Sequence, residues 1–254
     1  PQDMTKSLNT SAIFSFSALQ LYHVSSNSTS ASSVKSNEEE AKQKMDNADT
    51  RNVLLPNSLT WEDSLHTPYF RVLVQSLLEI YWRYGVLNDI PYEDIPLIAE
   101  IACQHDIGKR DLPDSIVYKA SPLTQTEAAV MQLHTVLGAY VVVRAYRGQL
   151  NTPEAVYFYE ICRHHHERWD GSGYPDHLQG DQIPRYVQIV SVADAYDALV
   201  ASRSYRKGFS HEDAAKLIPS GFCGVFSPEI MEPFQEYIGN IHQRIYTTED
   251  CHAE

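Results

Sequence analysis

The residues best suited to chemistry fall in a few short stretches. His105-Asp106 opens HDIGKRDLPDSI at 105–116, with Lys109 three positions on. His134 stands alone in an apolar stretch. His165-His166 opens HHERWDGSGYPDHLQGDQIP at 165–184, and Asp194 and Asp197 lie in VADAYDALV. Imidazole and carboxylate together favour borderline to hard divalent ions, and a set without Cys disfavours a structural zinc site. Neighbouring helical residues point about 100° apart, so the His105-Asp106 pair can address two ions with Asp106 between them. Asp194 and Asp197, three apart, share one helical face. A carboxylate on an otherwise apolar helix is costly to bury unless it is paired or metal-bound.

Each of these has a plainer reading. A single His such as His134 is more often a core or surface residue. The run His164–His166 could be solvated, and Asp194 could cap a helix or pair with an arginine. Arg203 and Arg206, three apart, either hold phosphates or form a solvated basic patch. Trp169 and Tyr174 either stack on a base or pack their own loop. The order of the set favours the metal reading: a lysine follows His105-Asp106 and a glycine-rich loop follows His165-His166.

These side chains need elements to hold them. From about Leu54 onward apolar residues recur at helical spacing, at 70–84, 95–104, 126–143 and 153–165. Later helices are predicted at 186–200, 211–218 and 228–243. Capping residues precede several of them: Thr124 before Glu127, Thr152 before Pro153, Ser210 before Glu212 and Ser227 before Pro228. Strand-like alternation is nearly absent, so the fold class is all-α. Gly138, four residues after His134, leaves room for close helix packing. In the second loop Gly171, Gly173 and Gly180 supply flexible backbone, and Tyr174-Pro175 a rigid aromatic point.

The chain has 254 residues, 43% of them hydrophobic, which is enough to bury a sizeable core. Its net charge of −13 argues against stable DNA or RNA binding and requires concentrated positive charge for any anionic substrate. Cys103, Cys162, Cys223 and Cys251 are scattered and form no CxxC pair, which fits reduced thiols and a cytoplasmic protein. No stretch is read as a membrane span of roughly 18 apolar residues. The segment SAIFSFSALQLYHV at 11–24 is faintly like a leader, but Ser15, Ser17, Gln20 and His23 interrupt it. The Ser/Thr/Asn run of residues 25–50, passing into charge, reads as a linker. The expected organisation is an N-terminal arm at 1–54, a globular domain at 55–247 and a tail at 248–254. No clear heptad supports dimerisation, so the oligomeric state stays open.

HDIGK at 105–109, HHERWDGSGYP at 165–175, and VADAYDAL followed by RSYR up to 206 resemble the HD-GYP family of cyclic dinucleotide phosphodiesterases, a branch of the HD metal phosphohydrolases. The resemblance covers roughly residues 60–235. It implies an HD-domain helical bundle with additional C-terminal helices. It also implies hydrolysis of cyclic di-GMP, to the linear dinucleotide and/or GMP, by a metal-bridged hydroxide. His105, Asp106, His134, His165, His166 and Asp194 become metal ligands, with Asp106 bridging, and His164 stands outside the set. His66, four residues after Glu62, matches the family's early ligand, and Glu62 a carboxylate for a third ion. The cofactors implied are two divalent ions, iron or manganese, and three if Glu62 takes part. Lys109 falls near the reacting phosphate. Arg203, Arg206, Tyr174 and Asp197 fall on the substrate side. A signalling partner could dock on the GYP loop. Two other readings stay open: a receptor that binds a cyclic dinucleotide without turnover, and a hydrolase acting on cyclic GMP-AMP.

Overall fold

A computed structural model describes residues 69–201 and 207–246. Among these residues the chain forms eight α-helices, three short 3-10 turns and a single isolated bridge between Asp170 and Gln179, so the all-α expectation holds. The helices are α1 (Phe70–Arg83), α2 (Ile95–Ala102), α3 (Asp114–Val117), α4 (Gln125–Ala145), α5 (Pro153–His164), α6 (Arg185–Val200), α7 (His211–Leu217) and α8 (Pro228–Tyr246). All but α3 fall where apolar periodicity predicts a helix, with ends displaced by at most a few residues. The four-residue α3 is too short to show a periodicity.

The hydrophobic faces explain the packing. In α1 the buried residues Phe70, Leu73, Val74, Leu77, Leu78 and Tyr81 recur at three- and four-residue intervals and so line one side. That side lies against α2, α6 and α8. By contrast, α6 is buried almost all round, from Tyr186 to Leu199, and forms the centre of the bundle. The Tyr81 hydroxyl donates to the Ile230 carbonyl at 2.5 Å, which ties α1 to the start of α8.

Three of the four predicted caps form. Thr124 and Glu127 make a reciprocal capping box on α4. The Thr152 hydroxyl accepts from the Ala155 amide, and the Ser210 hydroxyl from the Asp213 amide. Ser227 differs: its carbonyl accepts from Ile230 and Met231, while its buried Oγ has no hydrogen-bond partner.

Helix α4 corrects one sequence expectation. It is long and apolar enough, by length and composition alone, to cross a membrane. Its inner face nevertheless carries His134, Thr135 and Gly138 into the protein, where it packs on α5 and on the 3-10 turn Ile107–Asp111. That contact is unusually close. A Cβ on Gly108 would fall 2.0 Å from the His134 carbonyl oxygen and 2.4 Å from the Gly138 amide nitrogen. Gly138 in turn would meet the Gly108 amide at 3.4 Å and the Cys162 Cβ at 3.3 Å. Two glycines therefore let the HD turn lie against the helix that carries His134.

Candidate metal centre

Four elements bring the predicted ligands together. The turn after α2 supplies His105 and Asp106, α4 supplies His134, the end of α5 supplies His165 and His166, and α6 supplies Asp194. Asp106, His134, His165 and His166 each offer a ligand atom within 4.8 Å of all the others. The remaining two adjoin this group, with His105 Nε2 3.3 Å from Asp106 Oδ2 and 3.7 Å from Asp194 Oδ1.

The histidines are oriented from behind. The Nδ1 atoms of His105, His134 and His165 lie 2.7, 2.7 and 2.9 Å from the carbonyls of Ala102, Met131 and Ile161. A carbonyl only accepts, so each ring donates there and turns an Nε2 lone pair inward, the arrangement that fixes a metal-ligating histidine. Burial first, then the neighbouring histidines, hold His165 well below the usual range, so its ring is neutral. His166 is pushed down to about 3, again by burial first and then by His134.

The consequence is a crowd of inward-facing lone pairs. His134 Nε2 and His165 Nε2 are 3.2 Å apart, and neither carries a proton when its Nδ1 does. Asp106 Oδ1 faces the same space, 3.1 Å from His134 Nε2 and 3.7 Å from His165 Nε2. Burial opposes ionisation of Asp106, yet Lys109, His105 and His134 together hold it well below the usual carboxylate range. Imidazole nitrogens converging on an ionised carboxylate fit a divalent cation. The donor set matches the expected chemistry.

The flanking residues complete the surroundings. Lys109 places its ammonium on Asp106 Oδ2. The Tyr174 ring stacks on His166, with centroids 4.8 Å apart and planes 24° from parallel. Burial, then the charges of Asp106 and Asp194, raise its phenol above the usual range. Asp197, one turn beyond Asp194, is fully buried and offers no surface to a bound molecule. Its charge is a minor contributor to the Cys103 thiol, which burial above all pushes up to about 12. Glu62, His66, Arg203 and Arg206 lie outside the described residues.

Three residues with no obvious sequence signal shape the site. The buried Glu167 carboxylate accepts from the amides of Asp176 at 2.6 Å and Leu178 at 3.1 Å, so it folds the GYP loop back on itself. Arg168 donates to the carbonyls of Cys223, His165 and Glu167 and to Ser191 Oγ, which joins the loop to α6 and to the segment before α8. Asp176 accepts from Arg163 Nε and Nη2 at 2.6 and 2.7 Å. His164 lies between two carboxylates, 2.6 Å from Glu160 and 2.8 Å from Asp176. Burial opposes its protonation, but those two partners raise it to about 9. His164 therefore stands outside the inward-facing cluster, as expected, and serves the loop.

Comparison with known proteins fits this arrangement. The sequence profile of the family described as HD domain matches residues 69–221. Over 170 residues the chain is 36% identical to a Vibrio cholerae protein named cyclic di-GMP phosphodiesterase, covering 67% of this chain and 34% of that protein. Over 155 residues it is 35% identical to 3'3'-cGAMP-specific phosphodiesterase 2 of the same organism, covering 61% of this chain and 29% of the relative. The chain thus spans about a third of the length of these curated relatives. Among solved structures, Bd1817, a HDG"Y"P protein from Bdellovibrio bacteriovorus, aligns with a TM-score of 0.51 at 18% identity, over 81% of this chain and 62% of that one, a likeness of fold alone. With the HD turn, the converging histidines and the profile in agreement, the chain belongs to the HD domain family and carries the HD-GYP motif pair on that fold.

Proposed function

We propose that this chain is the catalytic part of a metal-dependent phosphodiesterase that hydrolyses cyclic di-GMP to the linear dinucleotide and/or GMP. One observation carries the reading: three histidines tethered at Nδ1 converge their Nε2 atoms on the two oxygens of Asp106, beneath the GYP loop. The names of the relatives supply the substrate class. Residues 55–247 would form the catalytic unit, between an arm at 1–54 and a tail at 248–254. The scattered cysteines, which form no CxxC pair, fit a cytoplasmic setting.

His105, Asp106, His134, His165, His166 and Asp194 would hold two divalent ions, iron or manganese, with His66 as a further ligand and Glu62 serving a third ion. Such ions neutralise phosphate charge and lower the pKa of water at neutral pH. Asp106 is suited to bridging, because Oδ1 faces His134 and His165 while Oδ2 faces His105 and Lys109.

The protein's own groups do the positioning. The carbonyl tethers keep the imidazole rings in one tautomer, so no reorganisation is needed when substrate arrives. Water attacks phosphorus in line with the ribose 3′-oxygen, the P–O3′ bond breaks, and the leaving oxygen needs a proton or a neighbouring charge. Lys109 is the donor at hand, held beside the reacting centre by Asp106. Arg203 and Arg206 would grip the non-reacting phosphate, and Tyr174 would border the substrate on the His166 side. The same loop is a candidate surface for a signalling partner.

Incubation of manganese- or ferrous-loaded protein with cyclic di-GMP, with products separated by chromatography, should give linear dinucleotide or GMP. No product with either metal rejects the enzyme reading and leaves a receptor. The 3'3'-cGAMP-specific relative motivates a parallel rate measurement with cyclic GMP-AMP. A higher kcat/KM for that substrate would reassign the specificity.

A further inference from the structure

We infer that Asp176 is a positioning residue for substrate, acting through Tyr174 rather than through the metal ligands. The inference rests on the phosphodiesterase reading.

The loop after His166 has to return its chain over the metal centre, and two anchors govern that return. The first is the Glu167 carboxylate, which binds the Asp176 and Leu178 amides. The second is the Asp176 side chain, held bidentately by Arg163 and also by His164, both from the last turn of α5. Asp176 is thus fixed at its backbone and its carboxylate, by the helix whose end carries His165 and His166. Tyr174 lies two residues before this knot, with only Pro175 between them, and stacks on His166. Gly173 closes the other side: a Cβ there would fall 2.4 Å from the Arg168 nitrogen and 2.5 Å from the His166 carbonyl oxygen. A backbone pressed against residues 166–168 and a side chain clamped to α5 thus flank Tyr174 on either side in sequence.

Their separation from the ligand set makes the role specific. His165 takes its orientation from the Ile161 carbonyl and His134 from the Met131 carbonyl, neither of which involves Asp176. Removing the Asp176 carboxylate should loosen the tyrosine while those tethers remain. Because Tyr174 would border the substrate and makes none of the ligand tethers, the loss should fall on substrate binding.

The test is a double-mutant cycle on metal-loaded full chain, with Asp176→Ala, Tyr174→Ala and the combined variant. Three readouts are needed: bound metal per chain, steady-state kinetics on cyclic di-GMP, and hydrogen exchange of the peptide covering 173–180. Asp176→Ala should keep the metal content of the parent, lose protection in that peptide and raise KM about tenfold with kcat within about twofold. In the Tyr174→Ala background it should add no further change in KM. Asp176→Asn, which keeps an acceptor for Arg163, should recover part of the loss. Fold-effects that multiply independently, or a fall in bound metal, overturn the inference. If the parent shows no turnover at all, the function reading has failed. Hydrogen exchange then judges the clamp by itself, and unchanged protection in Asp176→Ala rejects it.

Discussion

At the scale of single residues, the site depends on where each proton sits. His105, His134 and His165 have their Nδ1 hydrogens committed to carbonyls, so their Nε2 atoms can only accept or ligate. Asp106 faces His134 and His165 with Oδ1 and His105 and Lys109 with Oδ2. Removing it takes away the carboxylate that His105, His134 and His165 face. Outer partners of metal ligands are worth about 10- to 100-fold in metal affinity, so Asp106→Ala, which removes a proposed ligand, should cost at least about 100-fold. Metal content after dialysis measures it, and retention of the parent stoichiometry would contradict the assignment. Lys109 has a different role. Its ammonium borders the centre without belonging to the inward-facing ligand set. Lys109→Met should therefore leave bound metal unchanged and lower kcat by about 100-fold or more, as loss of a general acid does, with little effect on KM.

At the scale of elements, the metal centre is a packing problem solved by two small residues. The HD turn reaches the α4 ligand only because Gly108 has no side chain toward the His134 carbonyl. The obstructing atoms are backbone, so they cannot swing aside as a flexible side chain could. Gly108→Ala should force α4 away from the turn and cost about 1–3 kcal/mol in a urea melt, the usual range for overpacking. Because the displaced backbone is that of His134 itself, metal affinity should fall in the same variant. Gly138→Ala meets looser contacts and should cost less. A Gly108→Ala protein with parent stability and parent metal content would show that the contact is not needed.

At the scale of the whole molecule, the fold and the clustering of the candidate ligands were legible in the sequence for one reason, and the loop supports were not for another. Apolar spacing locates α1, α4 and α6, and the ordered set of His and Asp residues in apolar surroundings favours a metal where each residue alone would not. Glu167, Arg168 and Asp176 work through amides, carbonyls and residues up to 55 positions away, and no local spacing encodes such partners. These long-range charges also set how stability varies with pH. Glu127, in the capping box and bonded to Lys119, is lowered from the usual 4.5 to about 2, and Asp176 is lowered by His164, against burial, and by Arg163. Depressed carboxylates contribute stability that is present above their unfolded pKa and lost as pH falls through the folded one. His164 is raised from 6.5 to about 9, so its contribution is complete below 6.5 and lost as pH rises through 9. For chelator-treated protein these groups, together with the buried His165 and His166 that resist protonation below 6.5, give a maximum near pH 6.5 with a decline on each side. Asp176→Asn removes one of the two carboxylates that charge His164. Its alkaline decline should begin near the same pH, end at lower pH and be smaller in total than in the parent, as urea midpoints from pH 4 to about 10 would record. Superimposable alkaline limbs would mean that the His164 pair is not what stabilises the protein there.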